Sequence, residues 1–377
     1  MLQDASIQIR HLPVSDLVEF LLKEALRQHS SDIHLDPAEE SFRIRFRIDG
    51  LLEEKYILPK ELGPPIIFRL KVLAEVRTDE HQAAQDGRFF FQSDKERINI
   101  RLSLIPTYYG TNAVLRLLRK SHQGSTLEDL GFNQNHCTLL RNIVKKNSGM
   151  ILITGPTGSG KTTTLYTLLE LLKEKPTSMV SIEDPIEYAV ENVVQIPVNS
   201  YSLFNFSNAL RSVLRQDPDI IMIGEIRDRE TARLAFGSSM TGHLILSSLH
   251  TNSALLTLNR LLDLGIEPYA IASSLSMVIS QRLVRRSCSE CGAKNHLPKK
   301  KNCLVCRGSG FSGRLVIAEV LEIDNYLRDL IRNSQWTNLS KLTEEGKFLT
   351  LREDGYQKVD KLQTSMTEVL RVTYEEA

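Results

Sequence analysis

The sequence predicts an α/β protein with two domains, in which a small α+β domain precedes a larger domain built on a parallel-type sheet. Three observations support this prediction. The chain has 377 residues, more than a single domain usually contains. Up to about residue 117, amphipathic and alternating patterns predict one helix and several half-buried strands. Beyond residue 130, short apolar strands alternate with helices, which is typical of a sheet covered on both faces.

The composition argues against several classes of protein. Hydrophobic residues make up 41% of the chain, and 47 Lys and Arg residues face 46 Asp and Glu residues. A general nucleic-acid or membrane-surface binder needs a net basic field, which this balance does not give. The N-terminus lacks a signal-peptide pattern, and no apolar run approaches the ~18 residues that cross a bilayer. We therefore expect a cytoplasmic protein without direct nucleic-acid binding.

The small domain, predicted over residues 1–117, begins with an amphipathic helix over residues 14–26. A strand follows in which Phe42, Ile44, Phe46 and Ile48 alternate with arginines, and Asp49-Gly50 supplies a hairpin turn. We interpret those arginines as a solvated strand face. Further alternation over residues 98–104 completes an α+β domain of PAS-like type. A linker is predicted over residues 118–130.

The larger domain, predicted over residues 131–377, contains the segment GPTGSGKT between an apolar strand and a helix. Both the pattern and its context indicate a phosphate-binding loop (P-loop), whose glycines and helix N-terminus accept an anion. Lys161 is expected to reach the β- and γ-phosphates, and the Thr162 hydroxyl to bind Mg²⁺. We therefore expect a RecA-like core that binds ATP and Mg²⁺. The predicted nucleotide contacts are Gly155, Pro156, Thr157, Gly158, Ser159, Gly160, Lys161, Thr162, Thr163 and Asp184.

Two further strands of this domain end in carboxylates. The segment MVSIEDP ends in Glu183 and Asp184, and DIIMIGE ends in Glu225. Parallel sheets place ligands at the carboxyl ends of their strands, so all three side chains are expected to face the γ-phosphate. One would activate the attacking water and another would hold Mg²⁺ through water. We favour Glu183 for the water, because Glu225 occupies the usual metal-side position.

Two histidines flank another apolar segment, TGHLILSSLHTN. His243 and His250 are separated by an odd number of positions, so a straight strand would place them on opposite faces. This spacing argues against one shared metal site. Either histidine could sense the γ-phosphate by hydrogen bonding, or could be a buried structural residue.

Four of the five cysteines form two Cys-x-x-Cys pairs, separated by 11 residues. Cys288, Cys291, Cys303 and Cys306 have the donor set of a closed tetrahedral Zn²⁺ site. No additional acid or base accompanies them, so the site is predicted to be structural, within a small zinc-binding segment over residues 285–315. Residues 316–377 are predicted to be a helical C-terminal part. Cys137 is interpreted as structural.

Taken together, these motifs resemble the secretion ATPases of type II secretion and type IV pilus assembly. The resemblance runs from about residue 14 to residue 375 and rests on the segments SDIHLDP, RFRIDG, GPTGSGKTTTLY, SIEDPIEY, LRSVLRQDPDIIMIGEIRDRETA and TGHLILSSLHTN, in that order. It implies that Glu225 ends a Walker B strand, and that Arg101 and Arg116 of the small domain act on the nucleotide. The cysteine pairs are typical of assembly and secretion members rather than retraction motors. The chain begins almost at the small domain, which suggests the shorter competence-pilus type without an extra platform-docking domain.

The resemblance also implies a biological role. A homo-hexameric ring on the cytoplasmic face of the inner membrane would turn a polytopic platform protein by nucleotide-driven domain closure, and pilins would be added indirectly. Membrane association would then be peripheral, through the partner. Three alternatives remain at this stage: a RecA-type nucleic-acid translocase, a pilus retraction ATPase, and a nucleotide-gated ring with negligible turnover.

Overall fold

The computed structural model describes residues 9–93, 97–118, 125–173, 176–199, 204–292, 303–335 and 348–374. The chain divides into two compact units, Met1–Ser121 and His122–Ala377. The division falls inside the linker predicted over residues 118–130. The bounds given to the two domains stay predictions.

The described residues of the first unit form a six-stranded antiparallel sheet and two α-helices. Its strands lie in the order β3-β2-β1-β6-β5-β4. The predicted amphipathic helix is confirmed, because its apolar stripe, including Leu17, Leu21 and Leu22, is buried in the core of this unit. The elements are α1 (Val14–Arg27), β1 (Ser30–Pro37), β2 (Ser41–Ile48), β3 (Leu51–Pro59), α2 (Gly63–Leu73), β4 (Gln85–Gln92), β5 (Arg97–Thr107) and β6 (Gly110–Leu118).

The hairpin predicted at Asp49-Gly50 is also confirmed. It joins β2 to β3, which pair in antiparallel register from Ile48 and Leu51 onward. Asp49 and Gly50 have φ values of 48° and 89°, as a two-residue turn with left-handed backbone requires.

In the second unit, the part of the chain that the structure describes forms a seven-stranded sheet with helices between its strands. Its strands lie in the order β13-β12-β7-β11-β10-β8-β9. All neighbours pair in parallel except β12 and β13, which are antiparallel. The elements are α3 (Leu127–Leu130), α4 (Gln134–Ile143), β7 (Gly149–Thr154), α5 (Lys161–Leu172), β8 (Met179–Glu183), β9 (Val194–Pro197), α6 (Phe206–Val213), β10 (Ile220–Ile223), α7 (Arg229–Met240), β11 (Leu244–Leu249), α8 (Ala254–Asp263), α9 (Pro268–Ser274), β12 (Leu275–Ser287), β13 (Phe311–Glu322), α10 (Asn325–Arg332), α11 (Leu351–Asp360) and α12 (Met366–Thr373).

The central strands explain the continuous apolar runs of the sequence. Every residue of β7, β10 and β11 is buried. Alternate side chains of these strands belong to two separate hydrophobic clusters, one on each face of the sheet. The predicted parallel core covered on both faces is therefore confirmed, with β13 as an added antiparallel edge.

The structure differs from the sequence predictions in two places. Residues 127–130, within the predicted linker, form α3, which Thr126 caps and which buries Leu127 and Leu130. The predicted helical part over residues 316–377 begins instead with strand, because β13 continues to Glu322 and pairs with β12. In the described part of the chain, no helix is both long and apolar enough to span a membrane.

Candidate active site

The P-loop leaves the centre of the second sheet. It follows β7, which lies between β11 and β12, and it leads directly into α5. Gly155 has a φ of 145°, and a Cβ added there would lie 2.6 Å from the carbonyl oxygen of Gln281. Gly160 is the N-cap of α5 in the left-handed conformation, and no side chain caps this helix. A helix N-terminus without a side-chain cap leaves its N–H groups available to an anion, and phosphate binding there stays a prediction.

The remaining loop residues divide into exposed and buried positions. Pro156, Thr157 and Gly158 are exposed, and so is Thr162 in the first turn of α5. Ser159 is buried, and its hydroxyl has no hydrogen-bond partner. The exposed hydroxyl of Thr162 suits the predicted Mg²⁺ ligand, because a hard cation takes exposed oxygen donors and keeps water in its shell.

Lys161 contacts the loop itself. Its Nζ donates to the carbonyl oxygens of Gly155 and Pro156, at 2.8 and 3.2 Å. Burial lowers the pKa of Lys161 to about 8, the negative charge of Glu225 opposes this shift, and Arg282 adds to it. The surroundings of Lys161 therefore bring its pKa close to neutral pH. A phosphate bound beside the ammonium group would favour the charged form.

Glu225 lies at the carboxyl end of β10, next to the end of β11. Its side chain is 14% exposed, and Arg227 Nη2 lies 2.6 Å from its Oε1. His250, directly after β11, places Nε2 3.4 Å from the Glu225 Oε2. Glu225 thus contacts a guanidinium group and an imidazole at the carboxyl edge of the sheet.

Glu183 has a different environment, although it also ends a parallel strand. It is 3% exposed and accepts hydrogen bonds from Tyr166 Oη, Ser181 Oγ and Gln195 Nε2. Both carboxylate oxygens therefore have protein donors inside the fold. Our expectation that Glu183 activates the water is not supported by this geometry. Asp184, the next residue, is exposed.

The two histidines lie at opposite ends of β11 rather than on opposite faces of it. His243 precedes the strand, and its Nδ1 is 2.9 Å from the carbonyl oxygen of Ser238 in α7. Since parallel strands carry the site at their carboxyl ends, only His250 is brought to it. The structure does not place His243 near the P-loop, and its contact with α7 is structural.

The loop that carries His250 is fixed to the P-loop strand. Thr154, the last residue of β7, places Oγ1 2.9 Å from the carbonyl oxygen of Thr251 and accepts from the Thr251 N–H at 3.0 Å. Two residues of β12, Gln281 and Arg282, also contact these loops. Sequence analysis missed both. The signal was a polar pair in the middle of a buried strand.

In the first unit, Arg101 and Arg116 belong to a row of side chains that crosses the sheet. Arg101 pairs with Arg88 on β4 and with Arg116 on β6, and Arg116 pairs with Asp32 on β1, which pairs with Arg47. Arg116 Nε lies 2.9 Å from an Asp32 carboxylate oxygen, and Arg47 Nε lies 3.7 Å from the other. One carboxylate thus faces several guanidinium groups, and an anion would be attracted to this row. Arg88 was missed because no motif marked it.

The four cysteines fit a zinc ion. Their sulfur atoms all lie within 4.8 Å of one another, with Cys288 and Cys303 at 3.8 Å and Cys291 and Cys306 at 3.2 Å. Tetrahedral Zn²⁺ with Zn–S distances of about 2.3 Å separates its sulfurs by about 3.8 Å, whereas a disulfide needs about 2.05 Å. Cys137 is buried, and its thiol contacts the carbonyl oxygen of Phe132 at 3.6 Å.

Comparison with known proteins decides the family. The sequence model of the family described as type II/IV secretion system protein matches residues 8–371. The chain belongs to this family. It is 39% identical to type II secretion system protein E of Pseudomonas aeruginosa, over 99% of this chain and 78% of that protein. It is 37% identical to type II secretion system ATPase E of Vibrio cholerae serotype O1, over 96% of this chain and 76% of that protein.

A solved structure agrees with this membership. The pilus retraction motor PilT with bound ADP shares 26% sequence identity, with a TM-score of 0.67 over 94% of this chain and 96% of PilT. The chain is therefore a secretion ATPase with a RecA-like core, and ATP with Mg²⁺ is its nucleotide. The tetracysteine cluster supplies its zinc site.

Proposed function

We propose that this secretion ATPase hydrolyses ATP at the carboxyl edge of its second sheet and thereby drives assembly of a type II secretion pseudopilus or a type IV pilus. The observation that carries the proposal is that the P-loop and Glu225 follow the carboxyl ends of β7 and β10, which both pair in parallel with β11. Identity of 39% to a type II secretion protein E over 99% of the chain supports the secretion role.

In the proposed mechanism, the P-loop amides and Lys161 bind the β- and γ-phosphates, and Lys161 exchanges its loop carbonyl partners for phosphate oxygens. Glu225 takes the proton of the attacking water, in place of Glu183. Thr162, and Glu225 through water, would hold Mg²⁺, which would supply positive charge to the phosphates. His250 lies against Glu225, and so responds to the change of charge there.

Arg101 and Arg116 are proposed to act on the γ-phosphate from the first unit, and Arg88 joins them because it occupies the same cross-strand row. Arginines that stabilise a phosphoryl-transfer transition state are worth about 10³–10⁵ in rate. Approach of the first unit to the nucleotide would thus couple its movement to hydrolysis.

The proposed assembly is a homo-hexameric ring at the cytoplasmic face of the inner membrane. The ring would act on a polytopic platform protein, with pilins as its indirect cargo. The tetracysteine cluster supports an assembly or secretion motor over a retraction motor. So does the higher identity to protein E, 39% against 26% to PilT.

The test replaces Lys161 by alanine in the chromosomal gene of the source organism. We expect Lys161→Ala to abolish ATP turnover by the purified protein and to stop pilus assembly or type II secretion in cells. Lys146→Ala, at an exposed position after α4, is the matched control and should change neither. Assembly at the wild-type level by Lys161→Ala, or hydrolysis stimulated by DNA and not by the platform protein, would contradict the proposal.

A further inference from the structure

Strand β12 extends beyond the point where β7 ends. The last pair between them joins Ser280 to Thr154, the residue before the P-loop. Beyond this pair, Gln281 and Arg282 continue β12 by pairing with Ala318 and Ile317 of β13. The strand therefore runs alongside the P-loop at the level where the nucleotide phosphates are proposed to bind.

Gln281 joins the end of the P-loop to the helix that follows it. Its side chain is completely buried; Nε2 donates to the carbonyl oxygen of Ser159 at 2.7 Å, and Oε1 accepts from Thr164 Oγ1 at 2.9 Å. The backbone carbonyl oxygen of Gln281 lies so close to Gly155 that a Cβ there would be 2.6 Å away. A single residue thus contacts the beginning of the loop, its end, and the second turn of α5.

Arg282 and Ser280 contact a different loop, because neighbouring residues of a strand point to opposite faces. Arg282 Nη2 donates to the carbonyl oxygen of Asn252 at 2.9 Å, and Ser280 Oγ donates to the same oxygen at 3.2 Å. Asn252 follows His250 by two residues, in the loop over residues 250–253 that ends at the N-cap of α8. This segment, the His250 loop, places His250 against Glu225.

We propose that Gln281 and Arg282 are positioning residues on opposite faces of β12, where Gln281 holds the P-loop for phosphate binding and Arg282 holds the His250 loop against Glu225. The proposal rests on the proposed function of this site and adds its structural support. Sites of this kind need their groups within about 0.5 Å of the productive geometry, which residues behind them must supply.

The two contacts predict different kinetic effects. The P-loop binds phosphate in the ground state and in the transition state, so loosening it weakens substrate binding and raises KM more than it lowers kcat. The His250 loop meets the carboxylate that acts during the reaction. Loosening that loop therefore lowers kcat with little change in KM.

The first test measures KM, kcat and the dissociation constant of Mg-ADP for the purified full chain. We expect Gln281→Met, which keeps the length of the side chain and removes its hydrogen bonds, to raise KM and the dissociation constant about tenfold with kcat within about threefold. Thr164→Val should produce part of this effect, and Thr164→Ser, which keeps the hydroxyl, should restore wild-type values.

The Thr164 pair keeps the test decisive if Gln281→Met does not fold. Equal KM values for Thr164→Val and Thr164→Ser would overturn the role of Gln281. The role of Gln281 would also be overturned if Gln281→Met left KM unchanged and lowered kcat only in proportion to the fraction of unfolded protein, as measured by circular dichroism.

The second test combines Arg282→Met with His250→Gln. We expect Arg282→Met alone to lower kcat about tenfold, Arg282→Lys to recover most of it, and the double variant to be no slower than His250→Gln alone, because the two changes remove one interaction. Additive losses, or an unaffected kcat in His250→Gln, would overturn the role of Arg282. Neither result bears on the proposed ATPase function, which is tested separately by the loss of ATP turnover in Lys161→Ala.

Discussion

The carboxyl ends of β8 and β10 can be compared directly, because both are buried parallel strands with a glutamate at or just after the end. Glu183 continues β8 into the interior and accepts hydrogen bonds from Tyr166, Ser181 and Gln195. Glu225 stands two residues beyond the end of β10, remains partly exposed, and faces Arg227 and His250. The difference shows that position in the sheet does not decide a carboxylate's role. The partners that the rest of the fold brings to it decide that role.

The comparison extends to the helix of the P-loop. Tyr166, on α5, is fully buried, and burial together with the charge of Glu183 raises its pKa. Its ring lies against Tyr188, with the ring centres 4.6 Å apart. Glu183 thus connects α5 to the segment after β8 through hydrogen bonds. Glu225 instead raises the pKa of Lys161 at the N-terminus of the same helix. Three predictions, in decreasing order of expected effect, test this division.

The largest effect concerns Arg101 and Arg116 of the first unit, which are proposed to act on the γ-phosphate. We expect the double variant Arg101→Ala/Arg116→Ala to lower kcat by about 10³–10⁵, since guanidinium groups of this kind stabilise transition-state charge. The dissociation constant of ADP should change by less than about tenfold, because the P-loop supplies ground-state binding. Stopped-flow binding and steady-state hydrolysis measure the two quantities. The matched control is Arg43→Ala/Arg45→Ala on β2, and an equal loss in this control would break the prediction.

The second effect is a pH dependence of nucleotide binding through Lys161. The pKa of this lysine is about 8 in the protein, and a bound phosphate favours the charged form and raises it. Nucleotide affinity should therefore be at its maximum below pH 8, and above pH 8 it should fall by up to about tenfold per pH unit. Isothermal titration with Mg-ADP between pH 7 and 10 measures this fall.

Repeating the titration with protein variants tests which of the two carboxylates acts on Lys161. Lys161→Arg, with a guanidinium that stays charged, should show no such fall. In Glu225→Gln the fall should begin at lower pH, since the charge of Glu225 raises the pKa of Lys161. If Glu183→Gln moves the fall and Glu225→Gln does not, the assignment of the two carboxylates is reversed.

The smallest effect concerns Tyr166. Replacement by phenylalanine removes one hydrogen bond to a buried carboxylate, and we expect it to lower the free energy of unfolding by about 1–3 kcal/mol. kcat per folded molecule should stay within about threefold of wild type. Urea unfolding followed by circular dichroism measures the first quantity. A hydrolysis rate that falls a hundredfold with stability unchanged would show that the buried network takes part in the chemistry.

The sequence predicted the parts of the site that are local. The P-loop requires a fixed run of residues between a strand and a helix, and the cysteines need only short spacings, so the amino-acid order alone locates both. The Asp49-Gly50 hairpin is local in the same way. A short segment determines the backbone in each of these cases.

The parts of the site that sequence analysis did not predict depend on contacts between residues that are far apart in the chain. Glu183 is closed off by Tyr166 and Gln195, residues that no strand-end pattern connects to it. His243 stays away from the site because β11 begins only after it, and the spacing of the histidines did not reveal this start. Gln281 reaches the P-loop only because β12 lies beside β7, an order that follows from the topology of the whole sheet.

The most direct test of the central claim compares Glu225→Gln with Glu183→Gln in single-turnover ATP hydrolysis, at saturating nucleotide and normalised to folded protein. The account predicts that Glu225→Gln loses about 10²–10⁴ in rate, as expected for removal of a general base, while it still binds ATP. Glu183→Gln should keep its rate within about tenfold and lose stability instead. A full rate in Glu225→Gln together with a rate collapse in stably folded Glu183→Gln would contradict the account.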